Sequence, residues 1–351
     1  MTKFSFVGDI SLNGNYESLY SRGEDPFLCF HRVLKDSVVV GNLECFARDN
    51  NLFNELKKPR LETSLNTLNY VKNFNLGVAC LANNHAYDHL DEGFRKTAAF
   101  LKENNIKTIG ASLNVNNYRD PLIIKKNGIK IGILNFVTKD TNPNPPLNTE
   151  INLNFFEIDK VSQDVSSLRN MVDHIVLCLH WGGKFEGGRY PDWDQPIIAR
   201  KLIDAGVDLI IGHHSHTVQP FEVYKGKYIF YSLGNFCFSD FWFDQEFYPM
   251  PRKRMISFVL SVDFYKDTYK VETEYYLNNV NKYKELAKYR YYHRVQNMFF
   301  SNLLKYKAVW NVYKIYYNSL HPLIEFLARN DLLLVVKFCR IIKSIMRSIR
   351  N

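Results

Sequence analysis

Short apolar runs, each ending in a side chain able to bind a cation, recur along the first 240 residues and constrain the fold more than any other feature. Phe6-Val7-Gly8 leads into Asp9, Val40-Gly41-Asn42-Leu43 into Glu44, and Cys80-Leu81-Ala82-Asn83 into Asn84-His85. Further on, Ile175-Val176-Leu177-Cys178-Leu179 ends at His180, and Leu209-Ile210-Ile211-Gly212 at His213-His214-Ser215-His216. Most of these runs are continuously apolar, which suits strands covered on both faces. Strands are expected over 3–8, 38–43, 76–82, 129–136, 174–180 and 207–212, with helices near 26–35, 64–74, 91–104 and 192–205. That alternation is the α/β pattern. Lys126-Asn127-Gly128 and Tyr224-Lys225-Gly226-Lys227 read as hairpin turns, strands 255–264 and 269–277 as an edge, and Asn142-Pro143-Asn144-Pro145-Pro146 as a loop or lid. In an open α/β sheet the loops at the carboxyl ends of the strands converge on one crevice, so the five polar segments can meet in space.

The 351 residues, 46% apolar and 23% charged, describe an ordinary globular chain large enough for about two units. No run of about 18 apolar residues is present, which excludes a spanning helix. The start, Met1 to Asp9, reads as a strand rather than a secretory signal, so the expected location is cytoplasmic, including the periphery of the membrane's inner face. Cys29, Cys45, Cys80, Cys178, Cys237 and Cys339 have no spacing for zinc or redox chemistry, and most of them read as buried thiols. The net charge of +9 is unevenly spread: residues 281–351 carry 14 basic and 3 acidic residues, leaving the first 280 at −2. The expected division is a body, 1–280, and a basic, aromatic-rich helical tail, 281–351. In that tail Leu334, Phe338, Ile341, Ile342, Ile345 and Ile349 fall on one side of a helix, with Lys337, Arg340, Lys343, Arg347 and Arg350 on the other. Such a helix docks on the body or a partner, or lies on a membrane surface. Without a recognisable nucleic-acid fold, nucleic acid is an unlikely partner.

Carboxylate, amide oxygen and imidazole together suit one or two divalent manganese, iron or zinc ions. On an extended segment His214 and His216 share a face, whereas His213 is expected to turn away into a structural role.

The motifs Val7-Gly8-Asp9, Gly41-Asn42-Leu43-Glu44, Ala82-Asn83-Asn84-His85 with Asp88, His180-Trp181-Gly182, Gly212-His213-His214-Ser215-His216 and Tyr231-Ser232-Leu233-Gly234-Asn235-Phe236 resemble, in order and spacing over residues 3–240, the CapA-type poly-gamma-glutamate capsule biosynthesis family. That family is a branch of the calcineurin-like metallophosphoesterases. The resemblance implies a four-layer α/β/β/α sandwich with a metal centre at the strand ends. It implies Asp9 and His216 on one metal, Asn84, His180 and His214 on the other, Glu44 between them, and His85 as the acid beside substrate. Two cations about 3.5–4 Å apart can position an attacking oxygen and neutralise phosphoryl charge. Asp88 either orients His85 or caps the following helix. Asn235 either contacts substrate or fixes a turn. Trp181 and Tyr190 either wall the substrate or pack inside.

Three features depart from the pattern. Asp9-Ile10-Ser11 lacks the imidazole of Asp-x-His, Glu44 replaces the usual bridging aspartate, and Lys184-Phe185 stands where many relatives show Glu-Tyr. The expected function is a metal-dependent phosphoesterase-like hydrolase acting in poly-gamma-glutamate, capsule or other surface-polymer synthesis, on an anionic polymer or phosphoester. The rival expectation is a non-catalytic metal-binding assembly factor recruiting a membrane-bound synthase through the tail.

Overall fold

The computed structural model describes residues 1–48, 52–286 and 302–316. From the N-terminus run β1 (Thr2–Ile10), α1 (Asn15–Ser21), β2 (Val38–Leu43), β3 (Leu76–Cys80), α2 (Leu90–Glu103) and β4 (Lys107–Ile109). A second run of strands, β5 (Leu122–Lys126), β6 (Ile129–Val137), β7 (His174–His180), β8 (Leu209–His213), β9 (Phe221–Tyr224) and β10 (Lys227–Phe230), is interrupted by α3 (Ile158–Arg169) and α4 (Gln195–Asp204). The chain then returns to the first sheet with β11 (Asn235–Cys237), makes a hairpin of β12 (Phe241–Phe243) and β13 (Glu246–Tyr248), and adds β14 (Ile256–Phe264), β15 (Tyr269–Asn278) and β16 (Tyr283–Glu285).

Among the described residues the first sheet has the order β16-β15-β14-β1-β2-β3-β4, with β11 also paired to β1, and the second β9-β10-β8-β7-β6-β5. β1 to β4 are mutually parallel, as are β6, β7, β8 and β10. Alternation of side chains across each strand explains the continuous apolar runs. Phe4, Phe6 and Val40 of the first sheet meet Ile131, Val176 and Cys178 of the second in a core between the sheets. Val7 and Val39 point the other way, toward Leu19 of α1 and Phe94 of α2. Ile175, Leu177 and Leu179 point outward onto Val161 of α3 and Leu202 of α4. The layers are therefore helix, sheet, sheet, helix, the expected four-layer sandwich.

Two expected helices are shorter than the pattern suggests. Asp25 accepts a hydrogen bond from Phe27 N at 2.8 Å, a turn that confines helix to Phe30–Val33, and 64–74 contains a 3₁₀ turn running into Tyr70–Asn73. α3 was not among the expected helices, although its buried Val161, Val165 and Leu168 fall at the i, i+4, i+7 spacing of one helix face. The expected boundary near 280 falls beside β16, which pairs with β15, so the sheet continues past it. Within the expected tail, α5 (Leu303–Ile315) buries Tyr306, Trp310 and Tyr313 against the second sheet's helical layer and the loop after β7. The amphipathic segment 332–350 lies outside the described residues. Among those described, no helix is long and apolar enough to cross a membrane.

Candidate metal centre

The site forms where both parallel sets of strands end. A Cβ on Gly8 would stand 1.9 Å from the Gly234 carbonyl oxygen, so only glycine lets β1 and the segment before β11 come this close. Asp9 N donates to that oxygen at 2.8 Å, and Glu44 N donates to Ile10 O at 2.9 Å. These backbone bonds aim two carboxylates into one buried space. From the second sheet, β7 ends on His180 and β8 on His213. The chain then turns through left-handed residues, His214 at φ 95° and His216 at φ 55°. Non-glycine residues rarely adopt such angles, and here they break strand alternation.

Two groups of ligand atoms result. Glu44, His180 and His214 form one; Asp9, Glu44 and His216 form the other, with the atoms of each group within 4.8 Å of one another. In the first, His180 Nε2 lies 3.1 Å from His214 Nδ1, 3.7 Å from Glu44 Oε1 and 2.9 Å from Asn84 Oδ1. In the second, His216 Nδ1 lies 3.4 Å from Asp9 Oδ2 and 3.8 Å from Glu44 Oε2. Glu44 belongs to both.

Glu44 is fully buried and both its carboxylate oxygens lack a hydrogen-bond partner. Burial, reinforced by Asp9, lifts its pKa well above the usual carboxylate range despite the opposing pull of His216. Burial also pushes His180 well down and His214 to about 4. On His216 burial opposes the charge, but Glu44 and Asp9 overcome it and raise the imidazole to about 9. Asp9 resists burial in the same way through His213 and His216 and stays well below the usual range. A buried carboxylate without a donor is costly. Neutral imidazoles and carboxylate oxygens converging on it are the donor set a borderline divalent cation takes, so the residues fit such an ion.

His85 stands beside this centre, its Nε2 3.9 Å from Glu44 Oε1 and its Nδ1 2.6 Å from Asp88 Oδ2. Asp88 does not cap α2, whose N-cap residue is His89; its carboxylate also accepts from Leu61 N at 2.6 Å. Burial raises Asp88 to about 7, while burial and then the Lys57 charge hold His85 well below the imidazole range. A cleft of about 500 Å³ opens over the centre, its walls including Lys57, Asn84, His85, Glu186, His216 and Arg254. Lys57, only 5% exposed, donates from Nζ to Asn142 O at 3.0 Å. Asn54 and Asn144 each donate from their side chains to backbone oxygens of the other's loop, so the proline-containing segment is laced to residues 54–57.

Several expectations are corrected. His213 does not turn away: its Nδ1 lies 3.3 Å from Asp9 Oδ1, because the strand itself ends there and presents the ring beside β1. His214 and His216 reach the centre from a turn, not from a strand face. Trp181 is not among the walls of this cleft; it is buried, stacked on Tyr231, with Nε1 donating to Tyr231 O at 3.1 Å. Tyr190 packs edge-on against Tyr313. Asn235 is buried rather than facing the cleft, and its Oδ1 lies 2.9 Å from His216 Nδ1. Lys184 pairs with Asp194. Ser11 is buried, its hydroxyl without a hydrogen-bond partner. Asn42, which stands inside an apolar motif, has its Nδ2 2.8 Å from Asp9 Oδ1 and 3.2 Å from His180 Nδ1, tying one sheet's ligand to the other's. Lys57, Glu186 and Arg254 carried no sequence signal, since Lys57 and Glu186 come from irregular segments and Arg254 from a short 3₁₀ turn, Arg252–Met255.

Known proteins resemble this chain in sequence. The family described as "Bacterial capsule synthesis protein PGA_cap" matches residues 3–240. The PGA biosynthesis protein CapA of Bacillus subtilis is 31% identical over 68% of this chain and 63% of its own length. The capsule biosynthesis protein CapA of Bacillus anthracis is 29% identical over 68% and 60%. The chain thus spans less than two thirds of these relatives. Among solved structures, the NAD nucleotidase NadN of Haemophilus influenzae aligns at 14% identity over 84% of this chain and 62% of its own, with a TM-score of 0.47. On the match across residues 3–240, which contains every ligand atom described above, the chain belongs to the bacterial capsule synthesis protein family PGA_cap.

Proposed function

We propose that this chain is a divalent-cation-dependent hydrolase of the phosphoesterase type that acts in synthesis of a capsule, poly-gamma-glutamate or related surface polymer. The observation that carries the reading is Glu44, buried, without a hydrogen-bond partner and common to two convergent ligand groups. His180, His214 and Asn84 would hold one ion, Asp9 and His216 the other, with Glu44 joining them; manganese, iron and zinc suit these donors. Bound ions at such a site supply electrophilic activation and charge neutralisation.

The protein's own groups do the rest. Asp88 and His85, 2.6 Å apart, share one transferable proton near neutral pH. When Asp88 carries it, the carboxyl donates to His85 Nδ1 and sets the tautomer with Nε2–H toward the cleft, where it protonates a leaving oxygen. Lys57 offers an ammonium to an anionic substrate group from the opposite loop, and Arg254, already 3.2 Å from Glu186, adds a second cation at the rim. These charges favour a phosphoester or a polycarboxylate over a neutral ligand.

A second reading is an accessory protein that binds metal and polymer and recruits a membrane-bound synthase without turnover. It draws on the name of a Mycobacterium tuberculosis relative, a probable polyglutamine synthesis accessory protein, 26% identical over 45% of this chain, and on the imidazole missing at Ser11. Metal content and hydrolysis of an aryl phosphate separate the two. Bound metal with turnover that His85→Gln slows supports the hydrolase, whereas bound metal without turnover on phosphoester or glutamyl substrates supports the accessory role.

A further inference from the structure

The two halves of the centre match edge by edge once one more side chain is counted. Around His180 Nε2 stand Asn84 Oδ1 at 2.9 Å, His214 Nδ1 at 3.1 Å and Glu44 Oε1 at 3.7 Å. Around His216 Nδ1 stand Asn235 Oδ1 at 2.9 Å, Asp9 Oδ2 at 3.4 Å and Glu44 Oε2 at 3.8 Å. We propose that Asn235 Oδ1 is the fourth protein ligand of the Asp9–Glu44–His216 site and takes the place of the imidazole absent at Ser11. The assignment rests on the two-ion reading above and adds a ligand to it.

Three observations carry it. The amide is oriented by its other end: Asn235 Nδ2 donates to Arg254 O at 3.1 Å and lies 3.5 Å from Met250 Sδ, which leaves the oxygen, not the nitrogen, toward His216. The backbone puts it in register, since β11 runs parallel to β1 with Asn235 opposite Asp9. Separations of about 3–4 Å are those expected between atoms that share one cation at roughly 2.1 Å. Ser11, by contrast, lies against the Cys45 thiol, and its backbone N is held by Cys237 O at 2.8 Å. The competing role for Asn235 is orientation alone, accepting a hydrogen bond from His216 Nδ1–H while Nε2 binds the ion.

Manganese(II) titration of wild type and of Asn235→Ala by calorimetry, together with diffraction from manganese-loaded wild-type crystals, tests the assignment. Wild type is expected to take two ions, with Asn235 Oδ1 about 2.0–2.4 Å from the second. Asn235→Ala is expected to keep the ion at His180 and His214 and to bind the second at least about tenfold more weakly, and Asn235→Asp to restore it. An Oδ1 beyond about 3 Å with His216 Nε2 as ligand, or two ions bound by Asn235→Ala with wild-type affinity, overturns the assignment and leaves the two-ion reading intact. A wild type that takes one ion, at His180 and His214 alone, also overturns it. A wild type that takes none overturns both.

Discussion

The half of the centre around His180 and His214 and the half around Asp9 and His216 share Glu44 but differ in what surrounds it. The first contributes two imidazoles and the Asn84 amide oxygen, the second a further carboxylate and a single imidazole. Imidazole donors suit zinc and iron, while oxygen donors suit manganese and magnesium. The halves also differ in what a cation must displace. Burial already holds His180 and His214 neutral, whereas His216, raised to about 9 between Glu44 and Asp9, carries a proton at pH 7. On the two-ion proposal, the His180–His214 half would bind its ion more tightly than the Asp9–His216 half, with Glu44 common to both, so loading should be sequential.

The largest expected effect removes what the halves share. Glu44→Gln should lower metal affinity at both sites by more than about 100-fold and abolish turnover, read by metal analysis after dialysis. The comparison itself is tested by His214→Ala against His216→Ala: the first should lose the tight ion, the second only the weak one, and equal losses would show the halves equivalent. His85→Gln should keep both ions yet slow turnover by roughly 10²–10⁴-fold; full activity would end its role as acid. Smaller is the pH effect. Because His216 must shed a proton to bind, affinity at the weak site should rise from pH 7 and level off near 9, more steeply than at the tight site, which shares with it only the raised Glu44 carboxyl. The sign also fixes metal-free stability: the raised imidazole contributes fully below its unfolded pKa of about 6.5, and that contribution is lost as pH rises through about 9.

A change far from the centre sharpens the contrast. Asp208, at the start of β8, accepts from Arg169 and Lys227 at 2.6 Å and from Ile175 N at 2.8 Å. Asp208→Asn should cost about 2–3 kcal/mol in denaturant unfolding without altering metal stoichiometry.

The strand ends were legible because strands buried on both faces write themselves as apolar runs, and the next residue is then the one that leaves the sheet. Asp9, Glu44, Asn84, His180, His214 and His216 were singled out this way, and the structure brings all six together. What periodicity does not carry is the direction of a side chain once the backbone leaves the strand. His213, expected on the far face, sits by Asp9, and the left-handed angles at His214 and His216 could not be read from residue types that usually avoid them. Asn42 was hidden inside an apolar run, and Asn235 inside a turn motif. Lys57 reaches the cleft from an irregular segment whose course depends on distant hydrogen bonds such as Lys57 to Asn142, and Arg254 from a short 3₁₀ turn without a periodic signal. Trp181 stayed open between cleft and core because an aromatic beside a ligand histidine reads the same in either place; the structure buries it on Tyr231.

Anomalous diffraction from crystals loaded with manganese or zinc tests the central claim most directly. Two peaks are expected on either side of the Glu44 carboxylate, the stronger between His180 and His214 and the weaker between Asp9 and His216. No peak beside Glu44, or ions bound only elsewhere on the chain, would contradict the account.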